Sequence, residues 1–170
     1  MVLVDTGVQD INVQQSLDAN FLDIWTLYLE QGVARHKRMV ELAGSPTRAF
    51  IAQAIYWHEL LLLREAGTQT PYNIVREQIN SDKSIFDNFI KNKKLTATLL
   101  SEITAIPFET TRRQLKLMTD EGMVEKSDNF GFLINKNSEF HHACVQLLNP
   151  FEKTNLVKLC QKIIDTAPKS

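Results

Sequence analysis

Hydrophobic residues recur every three or four positions along most of this chain, which is the spacing of one helix face. Such a face runs through residues 20–43, and Gly44 is a typical helix terminator. Ser45 and Pro46 have the chemistry of an N-cap and a first turn, so they open a second helix, 46–66. Further helices are predicted over 70–79, from 82 onward, over 138–148 and from Asn149 to near the end, whereas residues 1–17 are predicted to be loosely held.

The helix predicted over 46–66 is apolar almost all the way round. A helix with so little polar surface must be covered on most sides. In a chain of 170 residues a partner subunit is an economical cover, so the sequence predicts a homodimer.

Residues 95–134 form the most specific pattern in the chain, and they begin with a short helix over 97–104. Thr96 is placed to cap it, and Leu100 and Ile103 are predicted to face inward. A tight turn at Ala105 then leads into Pro107, which suits the first turn of the next helix.

That next helix, predicted over 107–121, divides clearly into two faces. Its inward residues are Thr111, Leu115 and Met118, at the spacing i, i+4, i+7. Its outer and flanking residues are Phe108, Glu109, Thr110, Arg112, Arg113 and Lys116. Gly122 is suited to the left-handed conformation that ends a helix.

A short hairpin follows this helix. Residues 123–125 alternate as a strand, 127–129 are turn-forming, and 130–134 return as the second strand. Lys126 lies in the hairpin and Lys136 just beyond it, where both are predicted to reach a phosphate backbone.

With these elements in order, residues 81–135 resemble the winged helix-turn-helix of many bacterial transcriptional regulators. The resemblance rests on Thr110-Thr111-Arg112-Arg113-Gln114-Leu115, followed by Met118 and Glu121-Gly122-Met123-Val124. It implies that Thr110, Arg112 and Arg113 touch DNA and that Lys116 contacts a phosphate.

The candidate DNA-binding residues therefore fall into two groups by chemistry. Base-reading candidates are Thr110, Arg112 and Arg113, because Arg pairs with guanine and Thr can hydrogen-bond to a base edge or to a phosphate. Phe108 is a further candidate, for contact with a thymine methyl. Backbone candidates are Lys116, Lys126 and Thr96.

The expected architecture is mainly α, with a helical platform and a winged helix-turn-helix whose wing has two or three strands. The predicted division is 1–80 for a dimerising helical region, 81–137 for the DNA-binding domain, and 138–170 for helices on the dimer interface. A dimer would present two recognition helices about one DNA turn apart. The predicted function is sequence-specific binding of double-stranded DNA to regulate transcription.

Composition narrows the classes of function. Hydrophobic residues make up 44% and charged residues 23%, with a net charge of −1, so any phosphate contact must come from a local basic patch. There is no apolar run of the ~20 residues that span a bilayer and no secretory signal pattern, so a cytoplasmic location without a membrane partner is expected. Cys144 and Cys160 are predicted to be reduced and buried.

Several alternatives remain open from the residues alone. Arg112, Arg113 and Lys116 could be a solvated face paired with Glu109 and Asp120. A winged helix also serves in plasmid or phage replication and partition, or binds proteins without touching DNA.

Chemistry other than nucleic-acid binding has little support in the sequence. No phosphate loop, nucleophile elbow or zinc-site spacing is present, so no enzyme activity, catalytic residue, cofactor or metal is predicted. A cofactor-binding residue cannot be named. A small-molecule effector beside Trp25, Tyr28, Tyr56, Trp57 and His58 is a weaker interpretation than core or interface packing.

Overall fold

The computed structural model describes residues 13–65 and 94–166, with side chains up to residue 61 in the first range. The fold is mainly helical with a small two-stranded antiparallel sheet. The helices are α1 (Val13–Ala19), α2 (Phe21–Ala43), α3 (Pro46–Glu65), α4 (Ala97–Thr104), α5 (Phe108–Asp120), α6 (Glu139–Ala143) and α7 (Asn149–Asp165). The strands are β1 (Val124–Ser127) and β2 (Gly131–Ile134), and a π-helical segment, Cys144–Leu148, joins α6 to α7.

Contacts divide the chain into two compact units. The first, the helical unit, lies within Met1–Lys37 and Leu147–Ser170, and the second, the mixed unit, lies within Arg38–Gln146. The boundary predicted at residue 80, the helix predicted over 70–79 and the start of the helix predicted from 82 all lie outside the described residues. The division of the chain into three domains stays a prediction.

The core of the mixed unit is built around α3, which contacts α4, α5 and β2. Ala49, Ile51, Ala52 and Ile55 on α3 are fully or almost fully buried. Much of the cover that was predicted to come from a partner subunit for this helix is therefore supplied by the same chain.

The signals at the junction of α2 and α3 behave as expected. Gly44 takes a left-handed φ of 81°, and the Ser45 hydroxyl accepts a hydrogen bond from the Arg48 amide at 3.2 Å. The signals for α4 and α5 are also present: Thr96 accepts from the Leu99 amide at 3.2 Å, and Gly122 has φ 73°. These caps confirm the predicted order of helix, turn, helix and hairpin.

The helical unit consists of α1, α7 and the first part of α2. The α2 and α7 helices run antiparallel, because Gln31 donates to the Asn155 carbonyl at 3.0 Å while Asp23 lies 3.4 Å from Lys162. The predicted loose start is wrong from residue 13 onward, since α1 is held to α7 through the Ser16 hydroxyl. That hydroxyl donates to the Ile163 carbonyl at 2.7 Å.

A second correction concerns the junction before α7. Asn149 and Pro150 were expected to stop one helix and start another, yet the backbone stays helical through Leu148, which has αR dihedrals. A proline cannot donate the usual bond and its ring crowds the preceding turn. The wider π turn over residues 144–148 comes immediately before this proline, a place where such a bulge relieves the strain.

Two burial predictions also fail. Ile103 is 36% exposed, whereas the neighbouring Thr104 is 5% exposed, because the Thr104 hydroxyl donates to the Leu100 carbonyl at 2.6 Å and can therefore be buried. Cys160 lies on the exposed side of α7, whereas Cys144 is buried as expected. Among the described residues, every helix is too short or too polar to cross a membrane.

Candidate nucleic-acid interface

The inner face of α5 is held tightly in the mixed unit. Thr111, Leu115 and Met118 are at most 1% exposed, which confirms the face predicted from their spacing. Burying Thr111 is tolerated because its hydroxyl donates to the Ile106 carbonyl at 3.3 Å. Between these positions Arg112, Arg113, Lys116 and Leu117 are exposed, whereas Gln114 is half-buried.

The turn before α5 is fixed by side chains as well as by backbone. Ala105 adopts a left-handed conformation with φ 54°. The Ser101 hydroxyl donates to the Ile106 carbonyl at 2.7 Å, the same carbonyl that Thr111 contacts. Two hydroxyls from two helices therefore meet at one carbonyl, and this sets the angle between α4 and α5.

Arg48, from the first turn of α3, holds the other end of α5. Its guanidinium donates to both carboxylate oxygens of Glu121, at 2.7 and 2.8 Å, and its Nε donates to the Gln114 side chain at 3.2 Å. A two-pronged Arg–carboxylate pair constrains direction as well as distance. Arg48 is a positioning residue that the sequence does not reveal, because its partners Gln114 and Glu121 lie 66 and 73 positions further along the chain and no local pattern links them.

The hairpin after α5 has a regular register. Val124 pairs with Ile134 and Ser127 with Gly131. Leu95 adds a parallel bridge beside Gly131: its amide donates to the Phe130 carbonyl at 2.8 Å and its carbonyl accepts from the Phe132 amide at 3.0 Å. The hairpin is thus a two-stranded sheet with one bridging residue on its edge, within the expected range of two or three strands.

Gly131 makes this close approach feasible. Its φ is 80°, and a Cβ built there would lie 2.0 Å from the Leu95 carbonyl oxygen. Any side chain would displace the bridging residue Leu95. Gly131 therefore ties the hairpin to the segment that leads into α4.

Glu59 of α3 anchors the far end of β2. One carboxylate oxygen accepts from the Ile134 amide at 2.8 Å, and the other forms an ion pair with the Lys136 ammonium. Burial raises the pKa of the Glu59 carboxyl, and the Lys136 charge acts in the opposite direction. The prediction that Lys136 reaches a phosphate backbone is wrong, because this half-buried lysine is part of the fold.

Further buried polar groups lie beside this ion pair. The Tyr56 hydroxyl is 2.9 Å from Nδ1 of His141, and burial lowers the pKa of His141 to about 4. Burial also raises the pKa of Tyr56, and it raises that of Cys144 to about 11. These groups are therefore uncharged near neutral pH, as the interior requires. No set of side chains able to hold a metal ion occurs in the described residues.

The predicted site residues lie on the outward side of these anchored elements. Arg112 and Lys116 of α5 and Lys126 of β1 line one groove, together with Asp120 and Phe132. Thr110, Arg113 and Glu109 line a second, shallow depression along α5, which Arg112 and Lys116 also border. The first groove combines three cations with one acid, so its local charge is positive although the chain as a whole is not.

The remaining candidates are at the edges of this surface. Phe108 is 44% exposed at the start of α5. Thr96 is exposed and serves as the cap of α4, so its oxygen already has a structural role. Its hydroxyl group can still donate a hydrogen bond.

One acid on this surface is paired. Arg112 donates to the Glu109 carboxylate at 2.9–3.0 Å, and both side chains are more than half exposed. Exposed pairs of this kind contribute only about 0–1 kcal/mol. The pair thus holds Arg112 in place weakly and can open when a stronger partner arrives.

Comparisons with protein-family models, with curated proteins and with solved structures find no match to this chain. The geometry and charge of the described residues are therefore the basis for any function assigned to it.

Proposed function

We propose that residues 95–134 act as a winged helix-turn-helix through which a dimer of this protein binds specific double-stranded DNA and regulates transcription. The observation that carries the proposal is the groove shared by Arg112, Lys116 and Lys126. Two separate elements, α5 and β1, contribute cations to one surface. Such a local cluster suits phosphate contact in a chain whose net charge is −1.

The roles within this surface follow from side-chain chemistry. Arg112 and Arg113 are exposed in the first half of α5, where an inserted helix reaches base edges, and a guanidinium matches the paired acceptors of guanine. Thr110 supplies a hydroxyl, and Phe108 supplies an apolar contact for a thymine methyl. Lys116, Lys126 and Thr96 contact the phosphate backbone.

The Glu109–Arg112 pair does not prevent this use of Arg112. Its worth is about 0–1 kcal/mol, whereas one good Arg–guanine contact discriminates by ~1–3 kcal/mol. Exchange of partners is therefore favourable. Glu109 itself can accept from a cytosine amino group.

The first test is selection of bound sites from random DNA, followed by affinity measurements on the enriched sequence. Arg113→Ala should weaken binding by ~1–3 kcal/mol and relax preference at one base position. Lys158→Ala, which removes an exposed cation from α7, is the matched control and should leave binding unchanged. Equal affinity of Arg113→Ala and the parent chain would remove Arg113 from the site.

A salt series tests the phosphate contacts. Two lysines per protomer give four phosphate contacts per dimer, so log affinity should fall against log salt with a slope of about −3.5 or steeper. Lys126→Ala should reduce that slope by about 2 per dimer, one for each copy. A flat response would contradict DNA binding.

One observation favours a second candidate, a winged helix that binds protein. Phe108 and Leu117 are 44% and 39% exposed on α5. Partly apolar helices suit protein grooves. A salt-independent interaction, with no sequence enriched in the selection, would support this candidate instead.

A further inference from the structure

The ion pair at the start of α5 uses only one edge of its guanidinium group. Nε of Arg112 lies 3.0 Å and Nη2 lies 2.9 Å from a single oxygen of Glu109, Oε2. An arginine side chain carries five N–H groups in a flat fork. The pair engages the edge formed by Nε and Nη2, so the terminal edge, formed by Nη1 and the outer hydrogen of Nη2, is without a partner among the described residues.

This terminal edge suits a guanine base. Its two parallel N–H groups match the O6 and N7 acceptors that guanine presents in the major groove. The pair is weak enough to open, yet a guanine contact through the terminal edge leaves the contact with Glu109 in place. Both side chains are well exposed, 61% for Arg112 and 72% for Glu109, so a base edge can approach them.

The pair also lies at the end of α5 that an inserted helix presents to base edges. Glu109 is in the first turn of the helix, and Arg112 reaches back to it from three positions along. Arg113 is exposed beside Arg112, and no acid pairs with it among the described residues. The helix thus carries one arginine whose orientation is held by a carboxylate and one whose orientation is not.

The second carboxylate oxygen of Glu109 is open to a further donor. Oε1 accepts no hydrogen bond from the described part of the chain, because both contacts of Arg112 go to Oε2. The cytosine amino group is the donor in the major groove that a glutamate accepts from. Cytosine N4 lies next to guanine O6 within a G·C pair, so a carboxylate held beside a guanine-bound arginine has such a donor nearby.

We propose that Glu109 is a specificity-determining residue of the DNA site: it holds the terminal edge of Arg112 toward a guanine and accepts from a cytosine amino group near that guanine. An arginine already held in one orientation loses less side-chain freedom on binding. The same carboxylate repels phosphates, so it disfavours DNA that lacks this contact. This role rests on the proposed function and deepens it, because it names part of the sequence that is bound.

The test measures affinities for the selected DNA site and for its single-base variants. Arg112→Ala and Arg113→Ala each identify the base position that their arginine reads. Glu109→Ala should lower the preference for guanine at the Arg112 position about 5-fold or more and leave the Arg113 position unchanged. Adding Glu109→Ala to Arg112→Ala should cause no further loss at the Arg112 position, because the two residues act together there.

Binding to a duplex of random sequence separates this role from simple repulsion. Glu109→Ala should bind that duplex about 2- to 5-fold more tightly at low salt, since one carboxylate is removed from the surface. Asp120→Asn is the matched control, because it neutralises another exposed acid that borders the same groove as Arg112. It should tighten binding to every sequence alike and keep the base preferences of the parent chain.

The outcomes separate this role from DNA binding itself. An unchanged guanine preference in Glu109→Ala, equal losses at the Arg112 and Arg113 positions, or a uniform gain like that of Asp120→Asn would each overturn the role of Glu109 and leave DNA binding in place. A parent chain that binds no duplex would overturn the proposed function, and the role of Glu109 with it.

Discussion

The helices α2 and α3 are both long and rich in large apolar residues, yet they meet opposite environments. On α3, Ile51 and Ile55 are fully buried beneath α4, α5 and β2, whereas on α2, Leu22 and Val33 are more than 70% exposed. The more uniformly apolar of the two helices is the one that the chain covers itself. The hydrophobic content of a helix thus indicates that the helix must be covered. Which element covers it depends on how the rest of the chain packs.

Among the described residues, buried polar side chains are concentrated in the mixed unit. In the mixed unit, buried Glu59, Thr104 and Thr111 each form hydrogen bonds to backbone groups, at 2.6–3.3 Å. In the helical unit the buried Ser16 hydroxyl has one such bond, 2.7 Å to the Ile163 carbonyl, whereas the ion pair of Asp23 with Lys162 is exposed and 3.4 Å long. We therefore expect substitutions in the mixed unit to be costly and comparable ones in the helical unit to be mild.

The largest effect should come from Gly131→Ala. The added Cβ would lie 2.0 Å from a backbone oxygen, in a left-handed conformation, so the hairpin must separate from Leu95. We expect a loss of at least about 4 kcal/mol in the free energy of unfolding, measured by urea denaturation.

Gly122→Ala is the control for that change. Gly122 has nearly the same φ, 73°, but a Cβ there would meet nothing within 4 Å. Its cost should be the conformational strain alone, about 1 kcal/mol. Equal losses for the two variants would mean that the contact of Gly131 with Leu95 contributes nothing.

The next largest effect should come from Glu59→Ala. It leaves the Lys136 ammonium half-buried without its carboxylate and leaves the Ile134 amide without its acceptor, for a loss of about 3 kcal/mol. Asp23→Ala, which breaks an exposed pair, should lose at most about 1 kcal/mol, including its favourable place in the first turn of α2. Thermal unfolding of both variants measures the two losses. A similar loss in each would contradict the expected difference between the units.

A smaller effect concerns pH. The pKa of His141 falls to about 4 in the folded protein, so between pH 6.5 and 4 the unfolded chain binds the additional proton. Stability from this group is therefore present above pH 6.5 and is lost as pH falls toward 4, by up to about 3 kcal/mol. The Glu59 carboxyl has a raised pKa in the folded protein, so its contribution to stability is present at low pH and is lost as pH rises.

His141→Gln separates these two contributions. Glu59 remains in both proteins, so the difference in unfolding free energy between parent and variant isolates His141. That difference should shrink between pH 6.5 and pH 4. A constant difference across this range would show that His141 is not kept neutral by the fold.

The smallest effect should be a gain, from Ala105→Gly. Ala105 has a positive φ of 54°, which glycine adopts without strain, so we expect about 0.5–1 kcal/mol of stabilisation. Ala34→Gly, in the regular part of α2, should instead destabilise by about 1 kcal/mol. If Ala105→Gly destabilises as well, the turn owes its shape to contacts of the alanine methyl.

The sequence predicts the parts of this fold that depend on neighbouring residues. The cap at Ser45, the buried face of α5 at Thr111 and Leu115, and the hairpin all follow from spacing and turn chemistry. The anchors Arg48 and Glu59 could not be predicted, because their partners lie more than 60 residues away.

Lys136 shows the same limit for the candidate site. Its charge and its place after the hairpin resemble those of Lys126, but the Glu59 carboxylate draws it into the fold. The helical backbone that runs through residues 144–148 into α7 is another instance, because the π turn accommodates Pro150 where the local signal predicts a break. The outward residues of α5 were predictable as a surface, since an amphipathic pattern identifies both faces at once.

Arg48 and Glu59 stand eleven residues apart on α3, about 16 Å along its axis, and each holds one element of the basic surface from behind. The backbone that carries this surface is therefore already fixed in the absence of a partner. Association then requires little ordering of backbone, and the entropic penalty is limited to a few long side chains, at ~0.5–1.5 kcal/mol each. A partner of α5 and the hairpin must adapt to this protein, since the protein has little freedom to adapt in return.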